Sequence, residues 1–297
     1  MTTSIDLVAP RREERHPSSP GRPESRVTLI VPTGGWPPVD LRELWEYRGL
    51  FMFLVWRGIK VRYAQTVLGI GWAVLQPVLT MLVFTAVFGH VARIPSEGVP
   101  YAVFSLPAVV LWSYFASAFN GASGSLLVNT NLITKVYFPR LVIPLAPVVA
   151  ALVDFAIAFA VVLLVLLWHG IVPRPEALLL VPLTVVITGM VAAGTGCALA
   201  ALNLQYRDAR FIAPFLVQAW MFVSPVVYSA WLVPAPRRWL YMLNPLAPVI
   251  TALRAVLLGT SPVPWGALGQ ALVTAVVLLV LGGRLFKRYE RVFADVA

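Results

Sequence analysis

The chain has 297 residues, of which 59% are hydrophobic and only 12% are charged, and its formal net charge is +10. A soluble domain of this length would carry about twice that fraction of charged residues. The composition excludes an ordinary soluble protein and predicts an integral membrane protein.

Long uncharged stretches predict where the chain crosses the membrane. Four stretches lack any Asp, Glu, Lys or Arg: 98–134, 177–206, 211–236 and 255–283. A spanning helix needs about 20 apolar residues, so each stretch is long enough for one. We predict an all-α integral membrane protein with six transmembrane helices, at 67–91, 101–126, 142–168, 177–203, 211–232 and 265–284.

The remaining parts of the chain flank this transmembrane domain, which we place at residues 65–287. Residues 1–40 are polar and rich in Pro and Arg, so we expect a disordered tail and no cleavable signal peptide. Residues 41–64 predict an amphipathic helix at the inner membrane interface, with Arg62 inside its apolar sector. Residues 288–297 form a short C-terminal tail.

One apolar stretch, "LAPVITALRAVLLG" at 246–259, is too short to span the membrane and is interrupted by Arg254. We therefore predict that residues 233–264 form short re-entrant helices that dip into the outer face. Segments of this kind survive in a membrane only when they pack against protein or line a cavity.

The distribution of basic residues predicts the orientation. With the N-terminus inside, 18 of the 23 Lys and Arg residues fall in inner segments and 5 in outer ones. This bias places both termini in the cytoplasm and the protein in the plasma (inner) membrane as a multi-pass protein. The positive charge is then explained by topology and by contact with anionic membrane lipid, so we expect no nucleic-acid partner.

The chain lacks the residue patterns of a catalytic site. There is no G-x-x-x-x-G-K-S/T loop for ATP, and no His spacing suited to a metal ion. No paired carboxylates occur in the loops. We therefore expect neither an enzyme nor a bound cofactor or metal in this chain.

Asp154 is the only ionisable side chain deep in a predicted span, and such residues are functional candidates. The predicted spans contain no Lys or Arg that could pair with it. Two interpretations stay open. Asp154 has a structural role, neutral or hydrogen-bonded to a neighbouring helix, or it carries protons in a secondary transporter.

Two spans carry a face of aromatic and polar side chains, which would suit a path for a hydroxylated ligand. These candidate channel residues are Trp72, Gln76 and Thr80 in span one, and Gln218, Trp220, Ser224 and Tyr228 in span five. The alternative is a belt of interfacial aromatics with tolerated polar residues. Span four instead carries Gly189, Ala193, Gly194 and Gly196, which favour close helix packing.

Four stretches together resemble the ABC-2 type permease family, in the branch that exports O-antigen, capsule-like polysaccharide and teichoic acid. They are "YAQTVLGIGWAVLQPVLTMLVFTAVFG" (63–89), "NLITKVYFPRLVIPLAPV" (131–148), "ALNLQYRDARFIAPFLVQAWMFVSPVVY" (201–228) and "LNPLAPVITALRAVLLG" (243–259). The similarity runs from about residue 41 to about residue 290.

The resemblance implies a half-transporter that works as a homodimer with two copies of a separate ATPase subunit, which binds the ATP and Mg. It implies a polysaccharide substrate on a polyprenyl-diphosphate lipid, and a conduit lined by spans one and five. It also implies that the short re-entrant helices before the last span serve as a gate at the outer face. An ABC-2 permease for a drug or a small lipid is the alternative within the same superfamily.

The resemblance also gives a role to "NTNLITKVYFPR" (129–140), a short polar segment between spans two and three. In the family this segment is the coupling helix that inserts into the ATPase. The candidate interface residues are Asn131, Lys135, Tyr137, Phe138 and Arg140, with Arg207 and Asp208 in a second inner loop. Without the resemblance, a topogenic loop with interfacial aromatics explains the segment equally well.

Overall fold

The computed structural model of the protein describes residues 41–64, 69, 71–130, 132, 138–206 and 209–290. The predicted tail 1–40 and residues 291–297 of the predicted C-terminal tail lie outside these residues. The described residues form ten α-helices and no strand: α1 Leu41–Glu46, α2 Arg48–Tyr63, α3 Gly71–Phe84, α4 Tyr101–Val128, α5 Val142–Trp168, α6 Ala177–Gln205, α7 Ala209–Val223, α8 Ala235–Tyr241, α9 Leu246–Leu258 and α10 Trp265–Glu290.

The all-α membrane fold predicted from the sequence is confirmed. Five of the described helices are long and apolar enough to cross a membrane: α3 with the π-helical turn Thr85–Val91 that continues it, α4, α5, α6 and α10. They match predicted spans one, two, three, four and six. A sixth crossing is counted if α8 and α9, which meet at an angle of 108°, are treated as one broken span.

The predicted fifth span is a shorter helix than the sequence pattern indicates. Its helix, α7, has 15 residues and ends at Val223 instead of residue 232. Pro225 explains this end, because a proline lacks the backbone N–H and disfavours the helical conformation in the residue before it. The chain then runs irregularly through residues 224–229 before a short 3₁₀ turn, Ala230–Leu232.

The predicted gate region 233–264 does contain two short helices, α8 and α9. Gly259 ends α9 with φ of +70°, the left-handed conformation that glycine adopts at a helix C-terminus without steric cost. Arg174 holds this end in place, since its Nη2 donates to the Gly259 carbonyl at 2.8 Å. The C-terminal end of α9 is therefore fixed to the loop between α5 and α6.

Helix α4 is the centre of the bundle. Of the residues in its membrane-crossing window 78% are buried, compared with 6% for span one, which contains α3. α4 packs most extensively against α5 and α6, and α6 packs equally closely against α10. The span-one helix therefore lies at the edge of the bundle, against α4.

The small residues predicted for close packing in span four lie at helix contacts. Gly189 and Gly196 lie against Tyr114 and Ala122 of α4, and Gly194 meets the last span. A Cβ atom added to Gly194 of α6 would lie 2.5 Å from the carbonyl carbon of Leu278 in α10. A Cβ atom added to Gly282 of α10 would collide with the Gly194 carbonyl. The two backbones cross in direct contact, as small residues allow in membrane proteins.

The predicted interface helix 41–64 is present as two helices, because the chain breaks at Tyr47 between α1 and α2. Leu54 and Val55 of α2 are buried against Val142 and Ala146 of α5. One face of α2 therefore packs on the bundle, and this contact brings its C-terminal end close to α5.

Candidate functional site

A cavity of about 560 Å³ lies between α3, α4 and α5, next to the C-terminal end of α2. Its volume falls within the range of roughly 300–1,000 Å³ that is typical of ligand sites. The structure brings the predicted span-one set together here, because Trp72, Gln76 and Thr80 all line the cavity. Trp72 is half-exposed, at 50%, so its ring is accessible.

Helix α4 supplies the opposite wall, which the sequence analysis missed. Ser113, Ser117 and Asn120 line the cavity from this helix. Their spacing of i, i+4 and i+7 puts them on one helical face, and this spacing was the signal available in the sequence. The spacing alone is a weak signal, because single serines are common in apolar helices, where their hydroxyls usually bond to the backbone.

Asp154 lies at one end of the cavity and has partners, which come from outside the predicted spans. Arg62 of α2 forms an ion pair with Asp154, and the neighbouring Tyr63 hydroxyl donates a hydrogen bond to it. The sequence pattern did not reveal this ion pair, because Arg62 belongs to the helix before span one and not to a span. Burial lowers the pKa of the Arg62 guanidinium and raises the pKa of the Tyr63 phenol.

The second predicted channel set has a different geometry from the one expected. Because α7 ends at Val223, Ser224 and Tyr228 do not share a helical face with Trp220. Asn244 links two of them instead: Trp220 Nε1 donates to Asn244 Oδ1 at 2.9 Å, and Asn244 Nδ2 donates to Ser224 Oγ at 2.9 Å.

Ser224 is fully buried in this arrangement. The other two members of the set lie apart from it: the Tyr228 hydroxyl donates to the Phe222 carbonyl at 3.0 Å, and Gln218 is exposed. From this part of the chain Met221 and Val226, not the predicted residues, line the 560 Å³ cavity.

Arg254 holds the irregular segment that follows α7. The sequence analysis counted Arg254 among the basic residues of the outer segments, but Arg254 is only 3% exposed. Its guanidinium donates to the carbonyls of Pro225 and Val226 at 2.6 Å each, and to that of Tyr228 at 3.1 Å. Its Nε donates to the Phe104 carbonyl at 3.1 Å.

The fourth carbonyl of this segment, that of Val227, accepts a hydrogen bond from the Tyr101 hydroxyl at 2.6 Å. All four carbonyls of residues 225–228 therefore have donors although the segment is not helical. This arrangement meets the requirement that backbone polar groups inside a membrane protein are satisfied internally.

The coupling segment predicted at 129–140 is described only in part. Asn131, Lys135 and Tyr137 lie outside the described residues, as do Arg207 and Asp208 of the second loop. Phe138 is 4% exposed and belongs to a core cluster with Leu126 and Phe286.

Arg140 connects the same segment to the end of α10, because its Nη1 donates to the Glu290 carbonyl at 2.9 Å. At the start of the segment, Arg57 of α2 donates to the Asn129 side chain. The visible residues of the segment thus fix it to α2, α4 and α10.

Comparison with known proteins defines the class. The family model for ABC-2 type transporters matches residues 49–258, which is most of the described helical bundle. The chain therefore belongs to the ABC-2 type transporter family, and the predicted resemblance is confirmed.

Three relatives are similar over most of their length. The chain is 30% identical to the O-antigen export system permease protein RfbA of Myxococcus xanthus over 257 residues, which cover 86% of this chain and 98% of that protein. It is 26% identical to the protein of the same name from Klebsiella pneumoniae, over 83% of this chain and 94% of that protein. It is 25% identical to the polysialic acid transport protein KpsM of Escherichia coli, over 79% of this chain and 91% of that protein.

Proposed function

We propose that the chain is the permease subunit of an ABC exporter that moves a polysaccharide on a polyprenyl-diphosphate lipid across the plasma membrane. Membership of the ABC-2 family supports the transport role. The names of the relatives, which refer to O-antigen export and to polysialic acid transport, support a polysaccharide substrate. The chain matches these relatives over nearly their whole length.

The observation that carries the choice of substrate is the mixed lining of the 560 Å³ cavity. Most of this lining is apolar and includes the ring of Trp72, but the polar side chains of Gln76, Asn120 and Asp154 also line the cavity. A purely hydrocarbon ligand would leave such polar groups without partners, which costs free energy. Sugars offer both apolar C–H faces and hydroxyl groups, so they match this lining better.

We propose that ATP and Mg bind to two copies of a separate ATPase subunit, and that the permease forms a homodimer. The absence of a phosphate-binding loop from the sequence supports an external energy source. The bias of basic residues supports cytoplasmic termini and puts segment 129–140 on the ATPase side. Phe138 and Arg140 fix this segment to the permease, and we assign the ATPase contact to Lys135 and Tyr137.

A proton-coupled transporter that uses Asp154 is the weaker alternative. The ion pair with Arg62 stabilises the carboxylate form and occupies the group that would have to exchange protons. A structural role for Asp154 is therefore favoured.

Deletion of the gene tests the proposed function. The deletion strain should lose its surface polysaccharide and accumulate the lipid-linked polymer inside, and the cloned gene should restore export. The purified permease should hydrolyse no ATP alone and should co-purify with an ATPase subunit. Unchanged surface polysaccharide in the deletion strain would contradict the proposal.

A pair of adjacent variants tests the coupling segment. Tyr137→Ala should reduce co-purification of the ATPase, because truncation of an aromatic anchor typically costs about 2 kcal/mol or more of binding free energy. Phe138→Ala should instead lower the amount of folded permease, because Phe138 is buried in the core. Full ATPase binding by the Tyr137 variant would remove this residue from the proposed interface.

A further inference from the structure

The turn that precedes α4 has an unusual backbone. The Val99 N–H donates to the Ser96 carbonyl at 3.2 Å, and both central residues of the turn have positive φ, +55° at Glu97 and +84° at Gly98. Glycine adopts such angles freely, but a residue with a Cβ atom does so against steric repulsion. Residues in this conformation persist where surrounding contacts hold them, and they concentrate at functional sites. The contacts of the Glu97 side chain are therefore informative.

The Glu97 carboxylate accepts hydrogen bonds from two distant parts of the chain. Ser229 Oγ, at the end of the irregular segment 224–229, donates to Glu97 Oε1. Thr260 Oγ1, in the loop after α9, donates to Glu97 Oε2 at 2.7 Å. One side chain thus ties both regions to the connector 92–100, which joins span one to α4.

The two regions that bond to Glu97 are themselves firmly held. Arg254 of α9 donates to three carbonyls of the segment 224–229, and Arg174 donates to the Gly259 carbonyl at the start of the loop after α9. Span one differs from them, since only 6% of the residues in its membrane-crossing window are buried. Glu97 therefore fastens the connector of a loosely packed span to the well-packed part of the bundle.

The contacts of Glu97 can open at a lower cost than those of Arg254. Glu97 is half-buried and Thr260 is exposed, so water can replace the hydrogen bond between them. The buried Ser229 hydroxyl keeps a second partner, the Trp231 N–H at 3.4 Å. Arg254 is 3% exposed, and carbonyls released from it would stay buried without a partner. Of these two ties, the one made by Glu97 is suited to repeated opening.

We propose that Glu97 is a latch that holds span one against the bundle, and that export requires its release so that span one can move away from the α4 wall of the cavity. Glu97 is a positioning residue in this role, because it acts through span one and not by contact with the polymer. The inference rests on the proposed function, because it makes release of the latch a step of export.

The accessibility of a thiol behind span one measures the latch. Val109 of α4 lines the cavity and is 2% exposed, so Val109→Cys in a Cys197→Ala background provides one protected thiol. Glu97→Gly removes the carboxylate and keeps the turn, since glycine adopts positive φ without strain. In the purified permease in lipid nanodiscs, Glu97→Gly should speed labelling at position 109 by a water-soluble maleimide at least about tenfold, because two hydrogen bonds to a carboxylate are lost.

Matched variants separate a latch from general destabilisation. Thr260→Val removes one of the two donors and should give an intermediate labelling rate at position 109. Glu176→Gln changes another exposed acid in a neighbouring loop and should leave this rate unchanged. Cys197 is 1% exposed and reports unfolding, so its labelling should stay slow when Glu97→Gly is made in the otherwise natural chain. Unchanged labelling at position 109, or faster labelling of Cys197 as well, would overturn the latch.

A reversible cross-link tests whether the latch opens during export. The variant Glu97→Cys/Thr260→Cys, again with Cys197→Ala, is joined in cells by a short bis-methanethiosulfonate reagent. The cross-linked permease should stop exporting surface polysaccharide, and a reducing agent should restore export. Each single variant treated with the same reagent should continue to export. Undiminished export by the cross-linked permease would overturn the release step.

The outcomes keep this inference separate from the proposed function. The deletion strain decides the export role without reference to Glu97. If that strain keeps its surface polysaccharide, the proposed function fails, and the labelling experiment still decides the latch because it uses the permease alone. If the strain loses the polysaccharide while Glu97→Gly leaves labelling at position 109 unchanged, the export role stands and the latch is wrong.

Discussion

The packed side and the cavity side of the bundle use polar and small residues in opposite ways. The packed side is formed by α4, α6, α9 and α10. There the Arg254 guanidinium donates to backbone carbonyls, and Gly194 contacts the α10 backbone. On the cavity side, formed by α2, α3 and the facing surfaces of α4 and α5, the side chains of Gln76 and Ser117 line the cavity and have no hydrogen bond to another described residue. The difference teaches that a polar residue in this membrane protein is informative about ligands only after its internal partners are known.

The two charged clusters show the contrast most directly. Arg254 is almost fully buried and donates to four backbone carbonyls, three in the segment that follows α7 and one, that of Phe104, in α4. Asp154 and Arg62 are held by each other, and their side chains keep 23% and 33% exposure beside the cavity. Arg254 should therefore determine whether the protein folds, whereas the Asp154 pair should affect function more than folding.

The largest expected effect is the replacement of Arg254 by Met, which keeps a long side chain but removes every donor. Four buried carbonyls would lose a partner, and each unsatisfied group costs about 1–3 kcal/mol. We expect little folded protein by size-exclusion chromatography of the solubilised membrane. Arg237→Met, on the exposed surface of α8, is the control and should have no effect. A normal yield of the Arg254 variant would show that other donors can satisfy the segment.

The next effect concerns the helix crossing on the packed side. Gly282→Ala places a methyl group against the Gly194 backbone and should cost about 1–3 kcal/mol of stability, as overpacked cores do. Gly269→Ala is the matched control on the same helix, where an added Cβ meets nothing within 4 Å. This control should raise stability slightly because alanine favours a helix. Equal melting temperatures for the two variants would mean that the helices can separate without loss.

A smaller effect is expected for the charged pair on the cavity side. A double-mutant cycle with Arg62→Met and Asp154→Asn should give a coupling free energy of about 1 kcal/mol or less, because the pair is partly exposed. Arg57→Met is the control, since Arg57 bonds to Asn129 and not to Asp154. Asp154→Asn should keep a substantial part of export. Complete loss of export with normal ATPase binding would revive the proton-transfer interpretation.

The smallest effect on stability is expected for Trp72→Ala. Half of Trp72 is exposed, so the free energy of unfolding should change by no more than about 0.5 kcal/mol and the melting temperature should hardly move. Export of polymer should nevertheless fall, because the variant removes an aromatic face from the cavity. Trp168→Ala is the control, since Trp168 is 88% exposed at the end of α5 and does not line the cavity. Equal export by the two variants would favour the interpretation of Trp72 as a belt residue.

Much of the fold could be predicted because the signals are local. Spans two, four and six each lie in a long uncharged run, and span three is a long apolar run with a single charge, Asp154. The helices of all four lie within a few residues of the predicted bounds. The small residues of span four also predicted close helix packing, since close packing depends on side-chain size. The family could be recognised for the same reason, because its characteristic stretches are continuous in the sequence and occur in a fixed order.

The partners of the polar residues could not be predicted in this way. Hydropathy predicted a fifth span to residue 232, but Pro225 ends α7, and the released carbonyls bond to Arg254 and Tyr101 from other helices. A count of charges placed Arg254 among the outer segments, because such a count contains no information on which backbone groups lie nearby.

The sequence by itself determined that this is a helical membrane protein of the ABC-2 family, because composition, uncharged runs and ordered motifs act over short distances along the chain. The tertiary structure decided which polar groups are already satisfied. It paired Asp154 with Arg62 and left Ser113 and Ser117 open to the cavity. Hydrogen bonds and ion pairs reach only a few ångströms, so they depend on how the helices pack and not on where a residue stands in the sequence.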